Sequence, residues 1–366
     1  MLSNKTVAVV VPSYNEEKQI RVVIESMPEF VDRIIIVNDC SKDKMADVVL
    51  DCIHNDKHEK ISIKNVHSQE QTFDVYSRAE KVLLEQSKEE IRFFNPHEVI
   101  NENRETDRII LINHTRNGGV GAAIATGYKW CKDHNIDCTE VMAGDGQMDP
   151  AELESICRPV TDEKVDYVKG NRLIHRSAWL VIPKVRYFGN SILSILTKMA
   201  SGYWRVSDTQ TGYTAISKPA LHGIRLHEIY RTYGMPNDML VKLNIAMCSL
   251  REVEIKPIYN VGEESKMKIF RVIPRISWLL FKSFFKRLWI KYLFRDFHPL
   301  FLLYNFSLLL GVIWLPYLFK VSKALILGNN LSFETLFAFT FLCISAFQSF
   351  LFAMWMDIQD NERLYK

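Results

Sequence analysis

The chain has 366 residues, which is enough for one large domain or two modest domains with a sizeable core. Its 46 Lys and Arg residues nearly balance its 43 Asp and Glu residues, and the formal net charge of +3 does not indicate a nucleic acid partner. The seven cysteines are scattered and contain no CxxC pair, so the sequence favours a reducing compartment and argues against a structural zinc site.

Strands and helices alternate in the first 150 residues. Continuous apolar runs at 6–12 (TVAVVVP) and 33–39 (RIIIVND) are typical of strands buried on both faces, and a stretch with helical periodicity separates them. Residues 117–134 (NGGVGAAIATGYKWCKDH) are interpreted as a glycine loop that opens a helix, and 140–145 (EVMAGD) as a further strand. This order predicts an α/β fold with a mainly parallel, doubly wound sheet, in which ligands bind at the carboxyl ends of the strands.

A polar, charged stretch at 68–106 interrupts this alternation. We interpret it as a surface helical insertion in a domain that spans residues 1–264, and its residues indicate no function. No internal repeat or low-complexity tract is evident in the sequence.

Polar and aromatic residues lie where the first two predicted strands end. Pro12, Tyr14, Asn15 and Glu16 belong to the end of the first strand and the loop after it, and Asp39 ends the second strand. Because neighbouring parallel strands end at the same edge, Tyr14 would offer a flat face to a nucleobase and Asp39 would accept from its N–H groups. Taken alone, Pro, Asn and Asp are also ordinary turn formers.

A third candidate loop follows the predicted strand at 140–145. It contains Asp145, Gln147 and Asp149 within the sequence VMAGDGQMDP. A hard divalent cation needs oxygen ligands, but it takes only one or two protein carboxylates when phosphates and water supply the rest. The loop, with Asp145 and Gln147 as oxygen ligands, is therefore a candidate for a metal–diphosphate site.

Three further segments carry polar residues near predicted strand ends or helix starts. They are YVKGNRL (167–173) with Lys169 and Arg172, SDTQTGYTAIS (207–217) with Asp208 and Gln210, and MPNDMLVKL (235–243) with Asn237 and Asp238. A solvated surface position is the alternative for Lys169, and a helix N-cap is the alternative for Asn237 and Asp238. The histidines show no metal-ligand spacing and are interpreted as structural.

Residues 265–298 combine cations with apolar side chains. Nine Lys or Arg residues and no Asp or Glu lie between Ser265 and Arg295, interleaved with aromatic and aliphatic residues at helical spacing. This pattern predicts amphipathic helices that lie in the headgroup layer of a membrane. A solvated basic helix packed on the domain is the alternative.

Two apolar spans occupy most of residues 299–357. Residues 299–321 carry no charge before Lys320 and residues 335–356 carry none, so each has about the 20 residues that a helix needs to cross the hydrocarbon layer. The short loop between them predicts an antiparallel transmembrane hairpin, with a buried globular hairpin as the alternative. By the positive-inside rule, the basic segment places residues 1–264 and the tail at 358–366, and thus both termini, on the cytoplasmic side of the cytoplasmic membrane.

Four ordered motifs, PSYNEE, VNDCSKD, NGGVGAAIATGY and AGDGQMDP, resemble those of family 2 glycosyltransferases with the GT-A fold. The resemblance spans about residues 6–260, and the hairpin after it is similar to that of polyprenyl-phosphate glycosyltransferases of the dolichol-phosphate mannose synthase and GtrB-like types. It implies an enzyme that moves a sugar from a UDP-sugar or GDP-sugar to a polyprenyl phosphate, undecaprenyl or dolichyl, among membrane lipids. It leaves formation of a homo-oligomer open.

The resemblance also implies roles for individual residues. The nucleotide-sugar positions are Pro12, Tyr14, Asn15, Glu16, Asp39, Asn117, Gly118, Gly121, Asp145 and Gln147. Asp145 and Gln147 match the last two polar positions of the family's Asp-x-Asp-x-Gln pattern, whereas Ala143 stands where relatives have the first Asp. Asp145 is expected to hold Mg²⁺ or Mn²⁺ together with the donor's diphosphate, at a working site that has one anchor fewer.

The implied chemistry is inverting transfer by direct in-line attack. Arg172 and the cation would stabilise the charge of the leaving diphosphate, and Asp208 and Gln210 would lie near the transferred sugar. The candidates for binding the acceptor phosphate are Lys169, Arg172, Asn237 and Asp238. A lipid monophosphate, with a second pKa near 6, is already largely an oxyanion at neutral pH, so a general base is less needed, and Asp208 is the best candidate if one exists.

Three other functions are considered. A family 2 enzyme can instead act on a lipid-linked or growing polysaccharide, but processive synthases usually carry more spans and a Gln-x-x-Arg-Trp motif, which this sequence lacks. A sugar nucleotidyltransferase would carry a GxGxRL loop after the first strand, where this chain has PSYNEE. A catalytically silent membrane scaffold would tolerate Asp145→Asn without loss of function.

Overall fold

The computed structural model describes residues 1–58, 61–66, 77–258 and 269–366. In these residues, eight strands form one sheet in the order β3-β4-β2-β1-β5-β7-β6-β8. The strands are β1 Val7–Ser13, β2 Arg33–Asn38, β3 His97–Val99, β4 Ile109–His114, β5 Cys138–Val141, β6 Tyr167–Asn171, β7 Thr214–Ser217 and β8 Leu250–Glu254. The helices are α1 Ile20–Glu25, α2 Met45–Asn55, α3 Arg78–Glu89, α4 Val120–Asp133, α5 Leu153–Glu163, α6 Ala178–Val181, α7 Lys184–Ser201, α8 Lys218–Gly223, α9 Met235–Ile245, α10 Ile269–Trp289, α11 Pro299–Leu327 and α12 Phe333–Glu362.

The centre of the sheet is parallel. β1 lies between β2 and β5 and runs parallel to both, and β4 continues the parallel set beside β2. β3 and β7 are antiparallel to their neighbours, and β8 runs parallel to β6. The predicted α/β fold with a mainly parallel sheet is therefore confirmed, with two reversed strands, β3 at one edge and β7 between β5 and β6.

Both faces of the sheet are covered, which explains the continuous apolar runs in β1 and β2. Successive side chains of a strand point to opposite faces. Val10 and Ile35 accordingly pack with Tyr128 of α4 in one core, whereas Val9 and Ile34 pack in the other. The central strands, and with them their carboxyl ends, are therefore packed between two hydrophobic cores.

Two predicted boundaries are wrong. β5 ends at Val141 and not at residue 145, so Asp145 lies in a loop. The stretch at 68–106 contains α3, which has no buried residue, but its later part forms β3 and pairs with β4 at the edge of the sheet. That part belongs to the sheet and not to an insertion, while residues 67–76 lie outside the described residues.

α11 and α12 contain the two predicted apolar spans. Both helices are long and apolar enough to cross a membrane. The ring of Tyr304 contacts that of Phe350, and the ring of Trp314 contacts that of Phe339, so the two helices pair antiparallel. Large apolar side chains are exposed on them, among them Phe319, Ile326 and Phe333. A hairpin with an apolar outer surface results.

The chain end after this hairpin packs on the domain. Residues 358–366, predicted as a cytoplasmic tail, continue α12 and then return to the sheet. Leu364 is buried in the core, and Tyr365 forms a parallel bridge with Leu250 of β8. The N–H of Leu250 donates to the carbonyl of Leu364 at 2.7 Å, and that of Lys366 donates to the carbonyl of Leu250 at 3.1 Å. The segment predicted as a tail therefore contributes to the core of the domain.

The described part of the 265–298 segment packs on the domain. α10 buries Ile276 and Leu280 in a cluster with Leu193 of α7. The side chains of Arg287 and Lys291 are 0% and 1% exposed, so the expectation that the cations of this segment face lipid headgroups is wrong for these two. Lys282 remains exposed.

Candidate functional site

Six strands of the described sheet end at one edge. β1, β2, β4, β5, β6 and β8 run in the same direction and end there, and β7, which runs in the opposite direction, begins there. We call this region the carboxyl edge. It gathers the loops after these strands and the segment before β7, and it contains most of the site residues that the sequence indicates.

The loops after β1 and β2 are bound to each other. The N–H of Asn15 donates to the hydroxyl of Ser41 at 3.0 Å, and the side-chain oxygen of Asn15 accepts from the N–H of Lys42 at 2.8 Å. Tyr14 is half-buried beside this contact, whereas Pro12 is buried inside β1. Asn15 therefore joins the two loops, and both Tyr14 and Asn15 keep surface that a ligand can reach.

The Asp39 carboxylate is buried and held by the chain itself. Its Oδ1 accepts from Nδ1 of His114 and from the N–H of Gly118, both at 2.7 Å, and its Oδ2 accepts from the N–H of Gly119 at 2.7 Å. Burial favours the neutral acid, but these hydrogen bonds outweigh it and lower the pKa of Asp39. His114, interpreted from the sequence as merely structural, is thus part of the carboxyl edge, and no sequence spacing connects it to Asp39.

The glycine loop before α4 supports Asp39. Besides the two glycine N–H groups, the side-chain amide of Asn117 donates to the carbonyl of Asp39 at 3.1 Å. The N–H of Gly121 instead donates to the carbonyl of Arg231 at 2.8 Å, and a Cβ at Gly121 would lie only 2.0 Å from the carbonyl oxygen of Tyr230. Gly121 therefore has a close-packing role that only glycine permits, and its contact with a nucleotide stays a prediction.

Asp145 and Gln147 lie in a tight turn after β5. Asp145 Oδ1 accepts from the N–H of Gln147 at 3.0 Å, as in an Asx turn. The preceding residue, Gly144, lies against the loop after β1, because a Cβ there would be 2.2 Å from Glu16 Oε2. The loop that carries Asp145 therefore touches the loop that carries Glu16.

The chemistry of this turn suits a hard cation. Asp145, Gln147 and Glu16 all offer oxygen ligands, which Mg²⁺ and Mn²⁺ prefer. At the position of the missing carboxylate, the N–H of Ala143 donates to Sδ of Met148 at 3.2 Å. In the part of the chain that the structure describes, no group of three or more His, Cys, Asp or Glu side chains could hold a metal ion by itself. The residues fit a divalent cation whose remaining ligands come from a diphosphate.

Asp149, four residues after Asp145, has other partners. Its Oδ1 accepts from the N–H of Ala151 at 3.0 Å and caps a short 3₁₀ turn, and its Oδ2 pairs with Lys256 at 3.2 Å. Its carbonyl accepts from the Tyr213 hydroxyl at 2.8 Å. Asp149 therefore joins the loop after β5 to the segment before β7.

Arg172 and Asp208 form a bidentate ion pair where β6 ends and the segment before β7 begins. Arg172 Nε donates to Oδ2 at 2.8 Å and Nη2 donates to Oδ1 at 3.1 Å. The Asp208 side chain is 1% exposed and that of Arg172 is 22% exposed. Burial favours neutral Asp208, but the charge and hydrogen bonds of Arg172 outweigh it and lower the pKa of Asp208. The ionised Asp208 carboxylate orients Arg172. Because its pKa is lowered, it is a poor general base.

Lys169, near this ion pair, is fully buried. Its ammonium donates to the carbonyl of Thr211. Burial lowers the pKa of Lys169 to about 8, against the attraction of Asp208 and Glu252. Both interpretations of Lys169, a solvated surface residue and a ligand of the acceptor phosphate, are wrong, because a phosphate cannot reach a fully buried ammonium.

Asn237 and Asp238 lie in the first turn of α9, whose N-cap is Gly234. Both side chains are buried. Asn237 Oδ1 accepts from Nε2 of Gln210 at 2.8 Å, and Asp238 Oδ2 accepts from the N–H of Tyr230 at 2.9 Å. The predicted N-cap is therefore wrong, and contact of Asn237 and Asp238 with an acceptor phosphate stays a prediction. Asn237 instead orients Gln210 at the carboxyl edge.

Comparison with known sequences gives a consistent result. Residues 8–70 and 95–225 match the sequence model described as glycosyl transferase family 2. A UDP-N-acetylglucosamine–dolichyl-phosphate N-acetylglucosaminyltransferase of Methanococcus voltae is 27% identical over 71% of this chain and 88% of its own length. A dolichyl-phosphate beta-glucosyltransferase of Trichomonas vaginalis is 24% identical over 77% of this chain and 74% of its own length.

A solved structure also aligns with the chain. It is that of glucosyl-3-phosphoglycerate synthase from Mycobacterium tuberculosis in complex with Mn²⁺, uridine diphosphate and glucosyl-3-phosphoglycerate. The alignment covers 78% of this chain and 80% of that chain, with 13% identity and a TM-score of 0.45.

Proposed function

Because the chain belongs to glycosyl transferase family 2 and is a glycosyltransferase, we propose that it moves a sugar from a uridine diphosphate sugar to a polyprenyl phosphate at a membrane surface. The two sequence relatives described above are named for dolichyl-phosphate acceptors, which supports the acceptor class. The carboxyl edge is the site of transfer. The apolar hairpin crosses the cytoplasmic membrane, and the domain and both chain ends lie on its cytoplasmic side.

The observation that carries this proposal is the fixed attachment of the apolar hairpin to the domain. The side chains of Arg287 in α10 and Asp357 in α12 form a buried ion pair, and Leu364, just after α12, lies in the core of the sheet. A domain attached in this way keeps its carboxyl edge at a constant position relative to the hairpin. A long-chain lipid phosphate presents its headgroup at the membrane surface, where such a domain would meet it.

The hydrogen-bond capacity of Asp39 supports a uridine nucleotide. A carboxylate offers about four acceptor positions, two on each oxygen. Among the described residues, His114 and Gly118 use Oδ1 and Gly119 uses one position on Oδ2. One acceptor position on Oδ2 therefore remains for an N–H group of a nucleobase. Uracil offers a single N–H between two carbonyls, whereas guanine offers adjacent N–H donors that would pair with both oxygens.

Residues of the chain itself can assist the transfer reaction. A phosphate oxygen of the acceptor attacks the anomeric carbon, and the bond from that carbon to the diphosphate breaks. Arg172, oriented by Asp208 and partly exposed, would stabilise the negative charge that develops on the leaving diphosphate. The acceptor needs no general base, because a phosphate monoester is already largely ionised at neutral pH.

A divalent cation completes this proposal. Asp145 and Gln147 would hold Mg²⁺ or Mn²⁺, and Glu16 lies against the same loop. When bound, such an ion neutralises charge on the diphosphate. The hydrogen bond from the N–H of Gln147 to Asp145 Oδ1 stabilises the turn, so the position of the carboxylate is set before any ligand binds.

The experiment that tests the proposal is product analysis with a panel of donors. Purified protein in liposomes that contain polyprenyl phosphate is incubated with UDP-sugars and GDP-sugars, and the lipids are identified by mass spectrometry. We expect polyprenyl phosphate carrying one added sugar with a UDP-sugar and Mg²⁺ or Mn²⁺. A product formed from GDP-sugars alone would contradict the donor assignment, and the absence of any lipid-linked sugar would contradict the acceptor assignment.

A further inference from the structure

A chain of hydrogen bonds runs from α4 to the Asp39 carboxylate. His114, the last residue of β4, donates from Nδ1 to Asp39 Oδ1 at 2.7 Å, and its Nε2 lies 3.0 Å from the hydroxyl of Thr126. The single proton of that hydroxyl is shared between two acceptors, Nε2 and the carbonyl of Ala122, each 3.0 Å away. The His114 side chain is 0% exposed. Both ring nitrogens therefore have protein partners, and the ring orientation is fixed from two sides.

This arrangement restricts what Asp39 can do. An ionised carboxylate can only accept, so Nδ1 of His114 carries the proton. A carboxyl group rotates easily about its terminal torsion unless partners hold it. In the described part of the chain, His114 is the only side chain that donates to this carboxylate, and two backbone N–H groups supply the other donors. His114 and the N–H of Gly118 thus hold Oδ1 together, and His114 is the side chain that helps to direct the remaining acceptor position of Oδ2.

We propose that His114, supported by Thr126, is a positioning residue that aligns Asp39 to read the N3–H of a uracil base and thereby sets the enzyme's nucleotide preference. This inference rests on the proposed function, because it assumes that Asp39 contacts the base. His114 itself does not touch the nucleotide. Its loss should reduce recognition of the base edge and leave recognition of the ribose and the diphosphate intact.

The test compares UDP with N3-methyl-UDP, which lacks the N–H that Asp39 would accept. Binding of both is measured by calorimetry to the wild type and to His114→Leu, His114→Asn and a matched control, His134→Leu. His134 is also buried and bonded through Nδ1, to the carbonyl of Trp130 at 2.7 Å, but it does not contact the carboxyl edge. Asn can place an amide N–H near the position of Nδ1, so it is the variant expected to restore the donor.

The expected wild-type preference for UDP over its methylated analogue is roughly 10- to 100-fold, as for one hydrogen bond to a charged group. His114→Leu should lower this preference to about threefold or less and raise KM for the donor with little change in kcat, whereas His114→Asn and His134→Leu should keep most of it. A wild-type preference retained in His114→Leu would overturn the inference. If His114→Leu does not fold, the same binding comparison is made with Thr126→Val. A reduced preference of this variant for UDP over N3-methyl-UDP would support the inference, and an unchanged preference would contradict it.

The same experiment separates this inference from the proposed function. A wild type that does not bind UDP, or binds both nucleotides equally, refutes the assignment of the donor and of Asp39 before any variant is considered. A wild type that discriminates, together with a His114→Leu variant that discriminates equally, refutes only the role of His114.

Discussion

Arg287 and Asp357 form a bidentate ion pair in which neither side chain has any exposed surface. Nη1 donates to Oδ1 at 2.7 Å and Nη2 donates to Oδ2 at 2.8 Å. Arg287 also donates to the carbonyls of Ala200 at 2.9 Å and Met199 at 3.0 Å, at the end of α7. One guanidinium thus joins α10, α7 and the end of α12, and it fixes the hairpin to the domain.

Arg287→Met should strongly destabilise the protein, because it leaves the Asp357 carboxylate buried without its partner. Breaking one side of a buried ion pair typically costs about 3–5 kcal/mol, whereas replacing both partners by apolar residues is often close to neutral. Arg287→Met combined with Asp357→Leu should therefore recover most of the loss. Denaturant unfolding in detergent micelles measures both, with Lys88→Gln on the exposed helix α3 as the control. Equal stability of the single and double variants would contradict this account.

Lys282 and Lys286 should contribute to membrane attraction, because they are exposed cations in the second half of α10, and Lys286 contributes less because it pairs with Glu228 at 3.1 Å. Replacing both by Gln should weaken binding to anionic vesicles by about 1 kcal/mol per charge at most. Vesicle sedimentation at several fractions of anionic lipid measures the effect, and transfer to a short, soluble acceptor should stay unchanged. Equal losses on short and long-chain acceptors would mean that these lysines serve folding.

Asp145→Asn should reduce metal-dependent transfer by about 10²–10³-fold, the usual effect of removing electrostatic support for a leaving group. The fold should persist, since an Asn side-chain oxygen can still accept from the N–H of Gln147. The measurement is the rate at saturating metal together with the metal concentration for half-maximal rate. Asp149→Asn is the control, because Asp149 pairs with Lys256 and caps a turn. An active Asp145→Asn enzyme with an unchanged metal requirement would exclude Asp145 as the main ligand.

Ala143→Asp should be tolerated and should lower the metal concentration for half-maximal transfer. Ala143 is half-buried in the loop after β5, and a second carboxylate two residues before Asp145 adds an oxygen ligand on the same turn. Metal titration of the transfer rate checks the expectation. A higher metal requirement in a folded Ala143→Asp enzyme would show that the added carboxylate does not face the cation.

The free energy of unfolding should increase as the pH rises from about 8 towards 10.5, because buried Lys169 loses its proton at a lower pH in the folded chain than in the unfolded chain. Its pKa in the folded state is about 8, below the ordinary value of 10.5, so over this range the unfolded chain binds more protons than the folded chain. The free energy of unfolding then increases with pH, by up to about 3 kcal/mol from this group. Thermal unfolding of wild type and Lys169→Met at pH 7.5 and about pH 10 measures the difference. The same pH dependence in both proteins would contradict the assignment.

The sequence predicts the sheet and the strand ends well because burial on both faces leaves a clear pattern. β1 and β2 are aliphatic almost throughout, and parallel strands must end at one edge, so Tyr14, Asp39 and Asp145 could be placed together without a structure. The sequence also places the glycine loop correctly before α4. It does not identify the partner of this loop, because the distance from Gly118 to Asp39 depends on the packing of two loops that are far apart in sequence.

The residues that were misinterpreted are mostly those whose charge or polarity is satisfied inside the protein. Lys169, Asn237, Arg287 and Lys291 are polar in the sequence and buried in the structure, each with partners from a distant segment. A sequence pattern records that a residue is polar but not that its partner lies 27 or 70 positions away, as for Asn237 with Gln210 and Arg287 with Asp357. His114 was overlooked for the same reason.

The central claim is that the acceptor is a lipid phosphate attacked at the carboxyl edge, and an acceptor competition tests it most directly. The enzyme in liposomes is given one UDP-sugar with polyprenyl phosphate, polyprenol or a short alkyl phosphate, and UDP release and lipid product are measured together. The account predicts one UDP per lipid-linked sugar with polyprenyl phosphate, a slower reaction with the short phosphate and no product with polyprenol. Transfer to polyprenol at a rate equal to that with polyprenyl phosphate would contradict it.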